Sequence, residues 1–277
     1  MPTVLITGAS TGIGRATAFR LAGSGWTVLA GVRRAADGEA LKADGGERIV
    51  PIMLDVTDAA QIAAAAAKVD ARGGLDALVN NAGIGFGGPL ELLPIDDLRS
   101  QLEVNVLGPV ALTQALLPAL RRGSGRGRVL FISSIGGRVA MAFTAPYAAS
   151  KHAIEAIGDA LRVELRSSNV QVALIEPGSV ATPIWDKSRT EAERVVIPPE
   201  LQDAYGRIPA AMDKVLQDTA RRGVPPEQVA ATIERALTAP RMRARYVVGR
   251  DAKAMLLVRR LLPDLVFDKV ARRALGV

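Results

Sequence analysis

Val4-Leu5-Ile6-Thr7-Gly8-Ala9-Ser10-Thr11-Gly12-Ile13-Gly14 opens the chain. An apolar, β-branched run breaks into three glycines, and an Ala/Leu-rich stretch at 13–22 follows at helical period. Strand, glycine turn and helix in that order begin a parallel α/β sheet. Gly8, Gly12 and Gly14 let a backbone approach a pyrophosphate, and the helix start offers it unpaired N–H groups. The spacing is Gly-x3-Gly-x-Gly, not the more familiar Gly-x-Gly-x-x-Gly.

Outward from this turn, short apolar runs alternate with helical stretches as far as about residue 180. The runs predict strands at 3–7, 26–32, 49–54, 77–80, 128–133, 170–175 and 245–248, with helices at 13–22, 59–71, 106–120 and 147–167. The strands are nearly continuous in apolar residues, as strands covered on both faces must be. The fold expected is a Rossmann-type, doubly wound, seven-stranded parallel sheet with helices on both faces. One domain spans 1–277, with a variable, Pro-rich loop or lid with helices of its own at 182–223. A basic amphipathic helical extension at 251–277 breaks at Pro263.

With 277 residues, 49% of them hydrophobic, the chain can bury a large core. It has no cysteine and one histidine, which excludes disulfides and argues against a metal centre. The net charge is +7, but the basic residues are scattered and aromatics make up only 4%, so no nucleic-acid surface is indicated. No basic n-region with a cleavage site precedes the first strand and no run of 18 apolar residues occurs, so no signal peptide and a cytoplasmic location are expected.

Tyr147 and Lys151 are four residues apart, one helical turn, and so share a face. A nearby ammonium should lower the phenol's pKa and suit it to acid/base work. His152 follows Lys151 directly, points elsewhere around the helix and reads as packing or surface. At the end of the second predicted strand, Arg33 and Arg34 stand where an acid would favour NAD. Two guanidiniums there favour the 2′-phosphate of NADP(H), leaving NAD(H) possible.

These motifs, over roughly residues 3–182, resemble those of the short-chain dehydrogenase/reductase family. Gly8, Ser10, Thr11, Gly12, Ile13 and Gly14 look like its cofactor turn. Asp55, followed by Val56, resembles the acid that hydrogen-bonds the adenine amino group. Asn80-Asn81-Ala82-Gly83 resembles the motif ending the fourth strand beside the cofactor. Asn105, Ser134, Tyr147 and Lys151 match the family's catalytic tetrad, with Ser133 the serine not chosen. Pro177, Gly178, Val180 and Thr182 resemble the segment contacting the nicotinamide.

The resemblance implies hydride transfer between NADP(H) and a carbonyl or secondary alcohol, with Tyr147 as acid/base and Ser134 holding the substrate oxygen. Lys151 would grip the nicotinamide ribose, and Asn105 would hold a water for proton relay. Phe86, Met141, Phe143 and Trp185 lie on segments that border the family's cleft, an apolar lining that suits a lipophilic substrate. The tail is loosely similar to steroid and retinol dehydrogenase members. A homodimer or homotetramer is expected, built on the helices holding Asn105 and Tyr147. The tail is expected to pack on its own domain or a partner subunit, with peripheral membrane contact the lesser reading. The rival reading is a catalytically idle, redox-sensing NADP(H)-binding protein.

Overall fold

Val4 and Ile6 turn to one side of the first strand and Leu5 to the other, and every one of these side chains is fully buried. That two-residue alternation gives the molecule a hydrophobic layer on each face of one sheet. The computed structural model describes residues 1–123, 125–182 and 196–275. Seven strands form the sheet: β1 (Thr3–Ile6), β2 (Thr27–Val32), β3 (Ile49–Met53), β4 (Ala77–Asn80), β5 (Gly127–Ile132), β6 (Val170–Pro177) and β7 (Arg245–Val248). All pair in parallel, in the order β3-β2-β1-β4-β5-β6-β7. Thr3 lies opposite Thr27 on β2, and Val4 opposite Ala77 on β4. The strand order reverses between β1 and β4, which opens a crevice at the carboxyl ends of the strands.

Helices α1 (Gly12–Gly23) and α2 (Ala35–Gly45) cover one face through Ala18, Leu21 and Leu41. Helices α3 (Ala59–Asp70), α4 (Ile95–Leu102), α5 (Gly108–Arg122) and α6 (Ala145–Glu164) follow in the chain. Of these α3, α5 and α6 cover the other face through Ile62, Leu112, Leu116 and Ile154. Each such side chain, fully buried, contributes roughly 1.5–3 kcal/mol. Asp58 starts α3 by accepting from the amides of Ala60 and Gln61 at 2.8 and 3.1 Å.

Three helices were not read from the sequence: α2, α4 and the helix at Pro226–Thr238. After α3, sequence reading began the next helix at residue 106, whereas α4 and α5 run as one helix joined by a π turn at Glu103–Leu107. That run, Ile95–Arg122, is the one helix among the described residues long and apolar enough to cross a membrane. Its buried Leu112, Leu116 and Leu120 pack on the sheet instead.

Beyond β6 come α7 (Ile208–Arg222), α8 (Pro226–Thr238), α9 (Arg250–Leu261) and α10 (Asp264–Leu275). Helix α8 packs on the face of α1 through Val229, Ile233 and Ala236. The break between α9 and α10 falls at Pro263, whose carbonyl accepts from the amides of Val266 and Phe267. The tail packs less than its sequence suggested: Ala252 and Phe267 are buried, but Leu257, Leu261 and Leu265 are 57%, 68% and 77% exposed.

Candidate active site

The glycine turn sits at the carboxyl end of β1, inside the crevice. Gly8 and Gly12 have φ of +61° and +53°, the left-handed region that glycine enters without strain. Gly14 is required by space: a Cβ there would stand 2.2 Å from the Gly8 carbonyl oxygen and 2.6 Å from Asn81 Nδ2. Helix α1 starts at Gly12 with no side-chain cap at Thr11 and no acid in its first turn. Its amino end is thus free to meet an anion, and the turn fits a pyrophosphate. Asn81 fastens β4 to this turn, donating through Nδ2 to the carbonyls of Thr7 and Gly8 at 2.8 and 3.1 Å. Thr7 Oγ1 accepts the amides of Asn81 and Ala82, both at 2.9 Å.

At the end of β2 the two arginines part company. Arg34 precedes α2 and grips Asp37 with both Nε and Nη2, at 3.0 and 2.6 Å. Arg33, equally exposed, has no ion pair among the described residues. Of the two arginines read from the sequence as phosphate-binding, Arg34 is thus engaged by an acid three residues on, and Arg33 is not. Asp55 Oδ1 accepts from both the amide and the hydroxyl of Thr57, while Gln61 Oε1 holds the Asp55 amide at 2.8 Å. The following Val56 is buried.

Ser134 caps a short 3-10 turn after β5, its Oγ accepting the Gly136 amide at 3.0 Å, and it lies beside Tyr147: a Cβ on Gly136 would stand 3.5 Å from Ser134 Oγ and 3.1 Å from the Tyr147 ring. Lys151 is buried on α6, its Nζ donating to the Ile132 carbonyl at 2.9 Å and lying 5.7 Å from the Tyr147 ring centre. Asn105 occupies the π turn. Its amide group makes a two-way bond with Ile84, accepting from N at 2.9 Å and donating to O at 2.8 Å, and it also donates to Ser150 Oγ. A Cβ on Gly83 would stand 3.2 Å from Asn105 Oδ1 and 3.7 Å from Lys151 Nζ, so three separate segments meet at one point. Structure brings together all four residues of the sequence-predicted tetrad. The Ser133 Oγ is buried without a hydrogen-bond partner. His152 is exposed, as expected, with Nδ1 near the Ala148 carbonyl.

One electrostatic expectation is corrected. Burial pushes the Tyr147 phenol up, and Ser134 beside it only offsets this. Burial also pulls Lys151 down to about 8, against the opposing charge of Glu155. Desolvation penalises whichever form is charged, and inside this crevice it sets the direction of both shifts.

Pro177 ends β6, and Gly178 donates its amide to the Val248 carbonyl at 2.8 Å. The Ser179 amide donates to Asp251 Oδ2 at 2.7 Å. Val180 bridges to Val224, and Thr182 closes this described stretch. Asp251 was missed by sequence reading, because it lies 72 residues away on α9.

On the open side, the Gly88 amide donates to the Phe143 carbonyl at 2.8 Å, joining the segments of Phe86 and Met141. Phe143 has a φ of +65°, an uncommon conformation for a bulky residue that clusters at functional sites. Met212 of α7 reaches the same place, next to Gly87, and is a lining residue the sequence did not single out. Trp185 lies outside the described residues.

Comparison with known proteins agrees with this geometry. Residues 2–193 match the family described as short chain dehydrogenase. The chain belongs to the short-chain dehydrogenase/reductase family. It is 37% identical over 276 residues to the NADPH-dependent 3-dehydrocapnine reductase of Ornithobacterium rhinotracheale, covering 98% of this chain and 96% of that one. It is 38% identical to mouse (Mus musculus) retinol dehydrogenase 5, covering 96% and 86%. Among solved structures it resembles a short-chain dehydrogenase from Streptomyces avermitilis, with a TM-score of 0.78 at 32% identity, covering 98% and 97%. This short-chain dehydrogenase/reductase is thus an oxidoreductase of CH–OH and C=O groups that uses a nicotinamide dinucleotide.

Proposed function

We propose that this short-chain dehydrogenase/reductase is an NADP(H)-dependent enzyme that interconverts a lipophilic carbonyl compound and its secondary alcohol. The observation that carries the reading is the meeting of Tyr147, Ser134 and Lys151: a Cβ on Gly136 would stand 3.1 Å from the Tyr147 ring and 3.5 Å from Ser134 Oγ, and Lys151 is buried on the same helix one turn on. Bound NADPH supplies the hydride. Tyr147 gives the substrate oxygen its proton, and Ser134 holds that oxygen within reach. Lys151 lends positive charge to the phenol, and Asn105 orders the surroundings of Lys151 through Ile84 and Ser150.

NADP preference is supported by Arg33, a guanidinium free to meet a 2′-phosphate, with no acid at the end of β2 to repel one. The name of the Ornithobacterium relative points the same way. A lipophilic substrate is supported by Phe86, Met141, Phe143 and Met212 around the opening. A homo-oligomer built on α5 and α6 is supported by the apolar groove between Val110, Leu117, Ile157 and Leu161.

The test follows NADPH and NADH absorbance with a panel of lipophilic ketones and aldehydes. Turnover is expected with NADPH first, and Tyr147→Phe should cut kcat by about 10²–10⁴-fold. NADPH affinity should stay within about twofold, since the phenol's task is proton transfer. Full turnover by Tyr147→Phe would sink the mechanism, and equal use of NADH would sink the cofactor preference.

A further inference from the structure

Tyr147, Lys151, Glu155 and Asp159 follow one another at four-residue intervals along α6. Lys151 and Glu155 are both buried, and Glu176 on β6 has no exposed surface at all. Arg245 of β7 ties this stripe together. Its Nε lies 2.9 Å from Glu155 Oε2 and 3.0 Å from Glu176 Oε1, and its Nη2 lies 2.6 Å from Asp159 Oδ2. Arg138, just after the turn that Ser134 caps, places Nη1 3.1 Å from Glu176 Oε1. The cluster adjoins the catalytic segments: a Cβ on Gly137 would stand 2.7 Å from Ser133 Oγ, 2.9 Å from the Lys151 carbonyl and 3.0 Å from Glu155 Cγ.

Glu155 Oε1, Glu176 Oε2 and Ser133 Oγ are buried without a hydrogen-bond partner. Stability alone does not call for this, because a buried ionic network is often matched or bettered by apolar side chains of similar volume. Unsatisfied carboxyl oxygens beside an acid/base pair are a feature of sites tuned for chemistry.

We infer that Glu155 is a positioning residue for the reaction, an anion braced by Arg245 one helical turn beneath Lys151, whose charge keeps that lysine an ammonium beside Tyr147. The inference rests on the reading of Tyr147 and Lys151 as the acid/base pair. Burial works against the ammonium and Glu155 works for it. Burial first, and then the neighbouring Glu155, raise Glu176. The charged groups around Glu155 are Lys151 and Asp159 on α6, Glu176 on β6, Arg245 on β7 and Arg138 after β5.

The test reads Lys151 directly. In full-length protein labelled at the lysine side chains, seven in all, the Lys151 carbon resonance is identified by its loss in Lys151→Met and titrated without substrate or cofactor. Glu155→Gln, which still offers Arg245 an acceptor, should lower the midpoint by about one unit. Glu155→Asp should keep it close to that of the unaltered protein. Asp159→Asn, which loosens the same arginine farther from Lys151, should move it by less than about 0.3 units. An unmoved midpoint in Glu155→Gln overturns the inference, as does an equal shift in Asp159→Asn. If Glu155→Gln does not fold, the Glu155 carboxyl carbon of the unaltered protein decides: it must step where Lys151 titrates, and a flat trace overturns the inference. The lysine midpoint needs no turnover, so it stays informative even if Tyr147→Phe sinks the mechanism.

Discussion

Lys151 Nζ donates to the carbonyl of Ile132 at 2.9 Å, which pins the ammonium under the end of β5, two residues before Ser134. The bond fixes where the charge stands, but the enclosure that makes it useful also works against it. Burial brings Lys151 down from its usual 10.5 to about 8. A buried lysine of this kind is a cost to the fold carried for the sake of the site.

Lys151→Met is therefore expected to stabilise the protein while abolishing turnover. A depression of this size corresponds to about 3 kcal/mol, and the lost bond to Ile132 takes back about 1–2. At pH 7 the variant should be more stable by about 1–2 kcal/mol. Because the folded pKa lies below the unfolded one, the unfolded chain holds more protons between about pH 8 and 10.5. The stability of the unaltered protein thus gains on that of the variant through this window, and the penalty is full only below it. Denaturant melts of both proteins at pH 7 and pH 10 check the sign; a variant less stable at pH 7 contradicts it.

Arg33 and Arg34 should prove unequal. Arg33→Asp removes the guanidinium that is free to take a phosphate and adds a repelling charge. It is expected to lower kcat/KM for NADPH by about 10–100-fold, with NADH improved or unchanged. Arg34→Ala should change either value by less than about threefold, because Arg34 is held by Asp37. Steady-state kinetics with both cofactors distinguish the two, and equal losses would return the pair to a shared role.

Much of this architecture was legible because it is written in local pattern. All seven strands fall within two residues of their sequence-predicted bounds, since a strand buried on both faces is an uninterrupted apolar run. The break at Pro263 follows from proline chemistry alone. Helix α2 was hidden by its polar run around Gly38, which packs against Pro51 of β3. Helix α4 is only eight residues long and fully buries only Gln101, although Ile95, Leu98 and Leu102 stand at helical spacing. The π turn that carries Asn105 adds one residue to a helical turn, which leaves no mark in composition. The Arg34–Asp37 pair lies at helical spacing and could have been read. By contrast, the contact of Asp251 with Ser179 spans 72 residues and could not.

Asp251→Ala should loosen the segment from Pro177 to Val180 from a distance. The carboxylate accepts the Ser179 amide and packs against Gly178 and Gly249, where a Cβ would stand 2.4 and 2.3 Å from its oxygens. Loss of a charge-assisted bond of this sort is worth about 1.5–3 kcal/mol, part of which should appear as a raised KM for NADPH. A rise of about 5–20-fold is expected, with kcat falling less, because the tetrad lies on other elements. Asp251→Asn keeps an acceptor for Ser179 and should recover most of the affinity. If both variants bind NADPH normally, Asp251 anchors α9 and nothing more.

Gly14→Ala probes whether the turn itself has room to give. The added methyl would meet the Gly8 carbonyl at 2.2 Å and Asn81 Nδ2 at 2.6 Å, and neither can retreat alone, because Asn81 already bonds the carbonyls of Thr7 and Gly8. The turn must open or β4 must shift, at a cost of about 1–3 kcal/mol in stability. NADPH affinity should fall by more than about tenfold, because displaced amides no longer converge on one anion. Thermal melts and NADPH fluorescence titration measure the two effects separately. A variant that melts lower but binds NADPH as well as the unaltered protein would mean that the phosphate is held elsewhere than at the start of α1.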